Sequence, residues 1–430
     1  MNNQSHPQYQ SQSGWNALLA KRQPNPMLEN DITADVAIIG AGYTGLAAAS
    51  QWHTTAPDDK IAIIDSSEIG EGNSGRNSGF LLEISLANDA NPKQLAKMDE
   101  CNQLLAGTMA EISSIVGKSE SNCQLVRTGT YRGAAGKQGS KSLAKYRAFL
   151  EGAKLPFEDL TRAELNERIG SNFYQSGIYS PHCYLVQPAA LIRTLCQHLP
   201  KNAALYENTP ALKLLKQNGS WIIKTPRGSI RTNKVIVTNN AFAKSLGFAA
   251  SKLVAMYTYA GITPALDPAL LNSLGSDSNW GLLPTHRLGS TLRRTSDGRM
   301  LIRCLYGYEK EIPIQRIENE LKTNLSKRFK QLGPIHLEQI WGGAVGFTFN
   351  GGAVFGETQP GLFVSAGCNG GGVVKGSLFG KLLADSAQGK PIPDVARLFG
   401  QASWMPPEPL RRLGFEVISR VERFRGRAEI

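Results

Sequence analysis

The segment Asp35-Val-Ala-Ile-Ile-Gly-Ala-Gly-Tyr-Thr-Gly45 constrains this chain more than any other. Val36 to Ile39 is a short unbroken apolar run, the pattern of a strand covered on both faces. Glycines follow at once, and Leu46-Ala-Ala-Ala-Ser50 continues as a helix. A strand, a glycine turn and a helix in that order make a dinucleotide-binding fingerprint. Gly40 permits the tight turn, Gly42 lets backbone approach a pyrophosphate, and Gly45 lets the helix sit close to the strand. Tyr43 and Thr44 then open a helix whose free N–H groups and positive end attract phosphate.

A second apolar strand, Ile61 to Ile64, ends at Asp65 and Ser66, with Asp65 lying 20 residues past Gly45. A carboxylate at that distance accepts hydrogen bonds from a ribose diol. The fold class expected is α/β: a discontinuous Rossmann-type nucleotide-binding domain plus an α+β domain on a mostly antiparallel sheet.

With 430 residues and 41% hydrophobic content, the chain is long enough for two cores. The expected division is a tail and lead-in over 1–30, nucleotide-binding segments 31–90, 186–245 and 336–400, a substrate domain from 91–185 and 246–335, and a basic segment 401–430. Helical patterns cover Lys93 to Val116, Ser140 to Ala153, Thr161 to Ile169, Pro188 to Leu199 and Ile314 to Leu332. Turn signals stand at Asn218-Gly219 and Ser296-Asp-Gly298.

Six cysteines are scattered without metal-ligand or CxxC spacing, which argues for reduced, mostly buried thiols. Six histidines form no cluster, so no metal is expected. Residues 1–14 lack the apolar core of a signal peptide, and no run of 18 apolar residues occurs. The expected location is the cytoplasm. Net charge is +12, yet no nucleic-acid-binding motif accompanies it, and arginines interleaved with stacking aromatics are sparse. Part of the excess lies in Leu410 to Ile430, with six Arg against three Glu. Leu413, Val417, Val421 and Phe424 there recur at helical spacing. Docking of that face on the body of the protein is the favoured reading, and peripheral contact with an anionic membrane is the other.

Two downstream features separate FAD from NAD. The first is Ile69-Gly-Glu-Gly-Asn-Ser74-Gly75-Arg76-Asn77-Ser78-Gly79, a turn that lets chain wrap along an extended cofactor. Arg76 serves either a phosphate or a structural carboxylate. The second is a strand, Gly361 to Gly367, followed by the loop Cys368-Asn-Gly370-Gly371-Gly372 and a helix from Val373. Backbone there can touch a planar ring, with the helix aiming its positive end at it.

These pieces resemble the D-amino-acid-oxidase-type (DAO) family of FAD-dependent oxidoreductases, and within it gamma-glutamylputrescine oxidase-like proteins. The resemblance is carried by Val36 to Gly45, Ile69 to Gly79, Val235-Ile-Val-Thr-Asn239-Asn-Ala241, Thr295 to Ile302, Trp341 to Thr348 and Pro360 to Gly367. It implies non-covalent FAD, oxidation of a C–N bond of an amine or amino acid by hydride transfer to flavin N5, and hydrolysis of the imine. Such relatives carry an aromatic and a histidine where this chain has Cys368 and Gly371, and two glycines where it has Arg303-Cys304. Arg303 and Arg293 are candidates to hold a substrate carboxylate. Arg294 faces away from Arg293. Tyr259, with Tyr257 and Tyr306, is placed on the pocket wall; Trp341 and Phe347 beside the ring edge or in the core; Lys375 near the flavin or in solvent. Oxygen, a quinone or a protein remain open as electron acceptor. The alternative is a flavin-binding protein of low intrinsic turnover that works with a partner subunit or acceptor protein.

Overall fold

The computed structural model describes residues 6–84 and 95–430; the expected helix start at Lys93 and the boundary at 90 and 91 lie outside the described residues. Its centre is a six-stranded sheet in the order Ala203–Tyr206, Ile61–Ile64, Val36–Ile39, Lys234–Val237, Leu362–Ala366, Val354–Gln359. Neighbouring strands run parallel until the last, which is antiparallel. Every residue of Val36–Ile39 and of Ile61–Ile64 is buried, because both faces are covered.

Alternate side chains feed the two covering layers. Val36, Ile38, Ile61, Ile63 and Ile236 pack beneath helices Tyr43–Thr55 and Val374–Ala387 through Leu46, Trp52, Leu378 and Leu383. Ala37, Ile39, Ala62, Ile64, Val235 and Val237 meet Trp221, Ile223 and Ile230. Those three belong to a smaller sheet ordered Ile32–Thr33, Ser229–Thr232, Ser220–Lys224, Lys213–Gln217. The turn at Asn218-Gly219 joins its last two strands, with both residues at positive φ. Such a turn fits the twist of a hairpin.

The large second sheet has eight strands: Gln339–Phe347, Val254–Ile262, Met300–Tyr308, Thr291–Arg294, Trp280–Pro284, Thr130–Ala134, Ser176–Ser180, Glu158–Thr161. All pairings are antiparallel except Trp280–Pro284 against Thr130–Ala134.

Two segments sit elsewhere than their sequence neighbourhood suggests. Gln339–Phe347 falls inside the expected nucleotide-binding segment 336–400, yet it pairs along its whole length with Val254–Ile262 of the large sheet. Helix Leu95–Gly117 falls inside the expected substrate segment 91–185, yet Leu105, Met109 and Ile112 join the core beneath the nucleotide-side helices. In both cases an apolar face found cover across the molecule, and chain order gave no sign of which cover.

The basic terminal segment also differs. Helix Leu410–Arg425 contacts the body, but not through its apolar row. Phe415 lies 5.2 Å from Tyr308, and Arg411 donates to the carbonyls of Pro406 and Leu253. Beyond the helix, the buried Glu429 carboxylate accepts from the N–H groups of Ala135 and Gly136 at 2.8–3.1 Å. Leu413, Val417, Val421 and Phe424 point to solvent. Among the described residues no helix is long and apolar enough to cross a membrane.

Candidate functional site

Ligands of open parallel sheets bind beyond the carboxyl ends of the strands, where connections leave in opposite directions. Here that point lies between Val36–Ile39 and Lys234–Val237, and a cavity of about 370 Å³ opens there. Strand Val36–Ile39 ends in Gly40 at φ +104°, a conformation that disfavours side chains. The turn is fastened from two directions. The Gly40 N–H donates to Ile64 at 2.8 Å, and the Thr238 hydroxyl donates to the carbonyls of Ile39 and Gly40 at 2.9 Å. Helix Tyr43–Thr55 starts from Gly42, so no side chain from its cap position blocks its N-terminus. A Cβ on Gly42 would come within 2.7 Å of the Ser74 hydroxyl, which already accepts from the Tyr43 N–H at 3.2 Å.

Asp65 follows its strand and lines the cavity. Its carboxylate accepts from the Ala41 N–H at 2.8 Å and the Ser67 N–H at 3.1 Å. Burial pushes the carboxyl above its usual range, opposed by those same N–H groups. The carboxylate therefore holds the glycine turn while facing the space a ribose would occupy.

The loop from Ile69 supplies a second wall through Ser74, Asn77 and Ser78. Arg76 borders the cavity, but its guanidinium is spent. It donates to the Glu71 carbonyl and carboxylate, to Gly342 and to Ser11 at 2.6–3.1 Å, and it stacks 3.8 Å over Tyr9. Of its two expected roles, the structural carboxylate applies. Burial pushes its pKa down and Tyr9 and Glu71 push it back up.

The third wall is the late glycine loop. Gly367, Cys368, Gly370, Gly371, Gly372, Val373 and Lys375 all line the cavity. Asn240 holds this loop: its Oδ1 accepts from the Gly367 and Cys368 N–H groups at 3.0 and 3.3 Å, and its Nδ2 lies 3.2 Å from the Cys368 sulfur. Helix Val374–Ala387 starts without a side-chain cap. Neighbouring Asn239 lines the cavity with a buried Oδ1 that has no protein partner. A buried acceptor of that kind is completed by a donor from a bound molecule or an ordered water. A glycine-capped helix start, a second helix start with no side chain bonded to its N–H groups, a ribose-distance carboxylate and this orphaned acceptor fit an FAD molecule.

The remaining wall comes from the large sheet: Thr258, Ala260, Thr291, Arg303, Gly343 and Val345. Arg303 donates to the Thr258 hydroxyl at 3.2 Å and to the Tyr306 hydroxyl at 3.3 Å. Among the described residues, no carboxylate pairs with it.

Several expected site residues stand away from the cavity. A Cβ on Gly45 would overlap the Gly40 carbonyl, and one on Gly75 would overlap Gly70, so both serve close packing. Gly79, at φ +80°, lies against Val186 and Arg293. Arg293 is no substrate ligand: it is fully buried, donates to the carbonyls of Val186 and Ser78, and lies 5.3 Å from the Trp15 ring. Burial lowers its pKa to about 10. Its strand alternates as expected, but the face it occupies is sealed by the lead-in segment. Tyr259 is also fully buried, its hydroxyl accepting from the Ile312 N–H. Trp341 is core, edge-on to Trp15. Arg293→Ala is expected to cost about 2 kcal/mol in denaturant unfolding by orphaning two buried carbonyls. It should leave substrate preference unchanged in steady-state assays.

Sequence reasoning missed His6, Pro7 and Tyr9, which line the cavity. The Tyr9 hydroxyl donates to Asn73 Oδ1 at 2.6 Å and accepts from the Ala344 N–H at 3.2 Å. The polar, glutamine-rich surroundings of Tyr9 carry no local sign of this docking. Asn240 was signalled only by its place beside Asn239.

Comparison with known proteins places the chain among relatives that share its fold. The chain is 28% identical over 392 residues to a probable oxidoreductase OrdL of Rhizobium meliloti, covering 88% of each chain. It is 24% identical over 377 residues to the gamma-glutamylputrescine oxidoreductase of Escherichia coli K12, covering 86% and 87%. The crystal structure of glycine oxidase from Geobacillus kaustophilus superposes with a TM-score of 0.73 at 21% identity, covering 87% of this chain and all of that one. The model of the DAO family, described as FAD dependent oxidoreductase, matches residues 35–386. A match over that span places this chain in the DAO family of FAD-dependent oxidoreductases.

Proposed function

We propose that the chain oxidises the C–N bond of an amine that carries a carboxylate, with FAD held non-covalently. One observation carries this reading: a single cavity has side-chain-free nucleotide-binding turns on one wall and the carboxylate-free Arg303 on another. Bound FAD supplies a two-electron acceptor that takes hydride at N5. Asp65 would accept from the ribose hydroxyls, and the Tyr43–Thr55 helix start would hold the pyrophosphate. The Gly367–Gly372 backbone, which lines the cavity, would hold the ring. Arg303, steadied by Thr258 and Tyr306, takes the substrate carboxylate and so orients the alpha carbon. The neutral amine loses its alpha hydride and then an N–H proton to solvent; water splits the imine to a carbonyl compound and an amine or ammonia.

The test is anaerobic mixing of the yellow holoprotein with a panel of amines and amino acids, followed by air. Bleaching by a carboxylate-bearing amine is the expected result. Bound FAD that no member of the panel bleaches would favour a low-turnover protein dependent on a partner, a reading motivated by Cys368 and Gly371 in the late loop.

Asp65 gives this reading a pH signature. Its folded-state carboxyl is raised by burial, so in the apoprotein its stabilising share is present at low pH and fades as pH rises through the raised value. Ribose hydroxyls donate to the ionised form, so FAD binding expels the proton and tightens as pH rises through that value. The FAD dissociation constant should increase on going from neutral toward acid. In Asp65→Asn that slope should vanish, with affinity at neutral pH lower by about 2 kcal/mol, roughly thirtyfold. Equal slopes by flavin fluorescence titration would remove Asp65 from the ribose.

A further inference from the structure

The helix Leu410–Arg425 turns its apolar side to solvent. Leu410, Leu413, Val421 and Phe424 are 60, 58, 43 and 71% exposed, and Val417 and Ile418 are exposed with them. Their spacing of three and four residues makes one stripe along the helix. The opposite side, with Arg411, Phe415 and Glu422, is the one that meets the body. A helix of a globular domain normally does the reverse.

Charge flanks this stripe. Of three glutamates in Leu410 to Ile430, Glu429 is buried on backbone N–H groups, Glu422 faces His286 at 3.2 Å, and Glu416 is bound by Arg412. Arg412, Arg420, Arg423, Arg425 and Arg427 are exposed; Arg412 pairs with Glu416 and Arg425 lies 3.7 Å from Glu422, which leaves Arg420, Arg423 and Arg427 as the arginines without a carboxylate partner among the described residues. Two more large apolar side chains are exposed: Phe349, and Trp404 six residues before the helix. Asn350 ties their segments together, accepting from the Ser403 N–H at 3.1 Å and donating to Gln401 at 2.9 Å.

We propose that this face lies on the surface of an anionic phospholipid bilayer, with the stripe sunk to the acyl boundary and the arginines at the phosphates. Charge selects this occupant. A second copy seated on the same face would set arginine flank against arginine flank, which is repulsive. An anionic bilayer offers apolar depth and opposite charge together. The docking places the enzyme's cavity close by, because strand Met300–Tyr308 carries Arg303 on the cavity wall and Tyr308 beneath Phe415. The two positions are about 17 Å apart along the strand.

The test is sedimentation of the full-length, flavin-loaded protein with vesicles of phosphatidylcholine alone or mixed with phosphatidylglycerol. Binding is expected only to the mixed vesicles and should be released by salt. Leu413→Glu with Phe424→Glu should abolish it. Arg420→Ala with Arg423→Ala should weaken it about 25-fold, about fivefold per arginine. Both double variants should keep flavin content and melting temperature, since the altered side chains are exposed. The proposal is overturned by absence of vesicle binding or by binding that the variants leave unchanged. It is equally overturned by a dimer in velocity sedimentation that Phe424→Glu converts to monomer, which would assign the face to a second copy.

Discussion

Gly45→Ala is expected to yield a protein purified without flavin and destabilised by about 4 kcal/mol or more. The added methyl would sit on the Gly40 carbonyl oxygen, with the Thr238 hydroxyl 3.0 Å away. Neither obstacle is the loose end of a side chain. Gly40 is pinned by Ile64 and Thr238, so helix Tyr43–Thr55 would have to move. That helix cannot move alone, because a Cβ on Gly380 of the neighbouring helix would likewise overlap the Thr44 carbonyl: the two helices already touch backbone to backbone. Displacing them opens the nucleotide-side core and withdraws the helix N–H groups from the phosphates. Overpacking usually costs less than this, because side chains absorb it; a clash with fixed backbone belongs to the large-effect tail. Gly107→Ala is the matched control, since it lies on the exposed side of helix Leu95–Gly117, away from the cavity, and a Cβ there meets nothing within 4 Å. The measurements are the ratio of flavin to protein absorbance and the denaturant midpoint. Normal flavin content in Gly45→Ala would contradict the packing account.

The same contacts explain what the sequence made legible. The Val36 to Gly45 unit was readable because its demands are local: an unbroken apolar strand, backbone bends without side chains, and a helix, all within a dozen residues. The late loop and helix were readable for the same reason. Arg293 and Tyr259 were misplaced because strand alternation separates two faces without saying which one a distant segment will seal. Trp15 and Asn77, which close over that region, lie more than 200 residues away from Arg293. Charge alone leaves Arg76 between a phosphate and a structural carboxylate, and the fold decides by assembling Glu71, Gly342 and Ser11 around it. Gln339–Phe347 sits beside the late glycine motif in sequence and pairs with Val254–Ile262 in space. The terminal helix shows the limit most sharply: its amphipathic period was clear, but periodicity cannot say whether the apolar row meets the protein or something else.

Arg303→Ala is expected to lower kcat/KM for an amino-acid substrate by two to three orders of magnitude, about 3–4 kcal/mol. The guanidinium is half-buried on the cavity wall, and its protein partners are neutral: the Thr258 and Tyr306 hydroxyls, with the Tyr306 ring 5.2 Å away. Neutral partners orient a cation without cancelling it, so its charge remains for an incoming anion. The Tyr306 hydroxyl is itself fixed by donating to Arg287 at 2.9 Å, which limits the rotamer entropy lost when a carboxylate arrives. Arg303→Lys should recover only part of the loss, because an ammonium cannot form the two parallel bonds of a guanidinium fork. The deciding comparison is between an amino acid and the amine that lacks its carboxylate, each with wild type and Arg303→Ala. If Arg303 holds the carboxylate, the variant loses activity on the first and keeps it on the second, with flavin content and melting temperature intact. Equal losses on both would mean that Arg303 shapes the wall without touching substrate. A wild type that turns over only the carboxylate-free amine would remove this arginine from substrate recognition while leaving the flavin site as described.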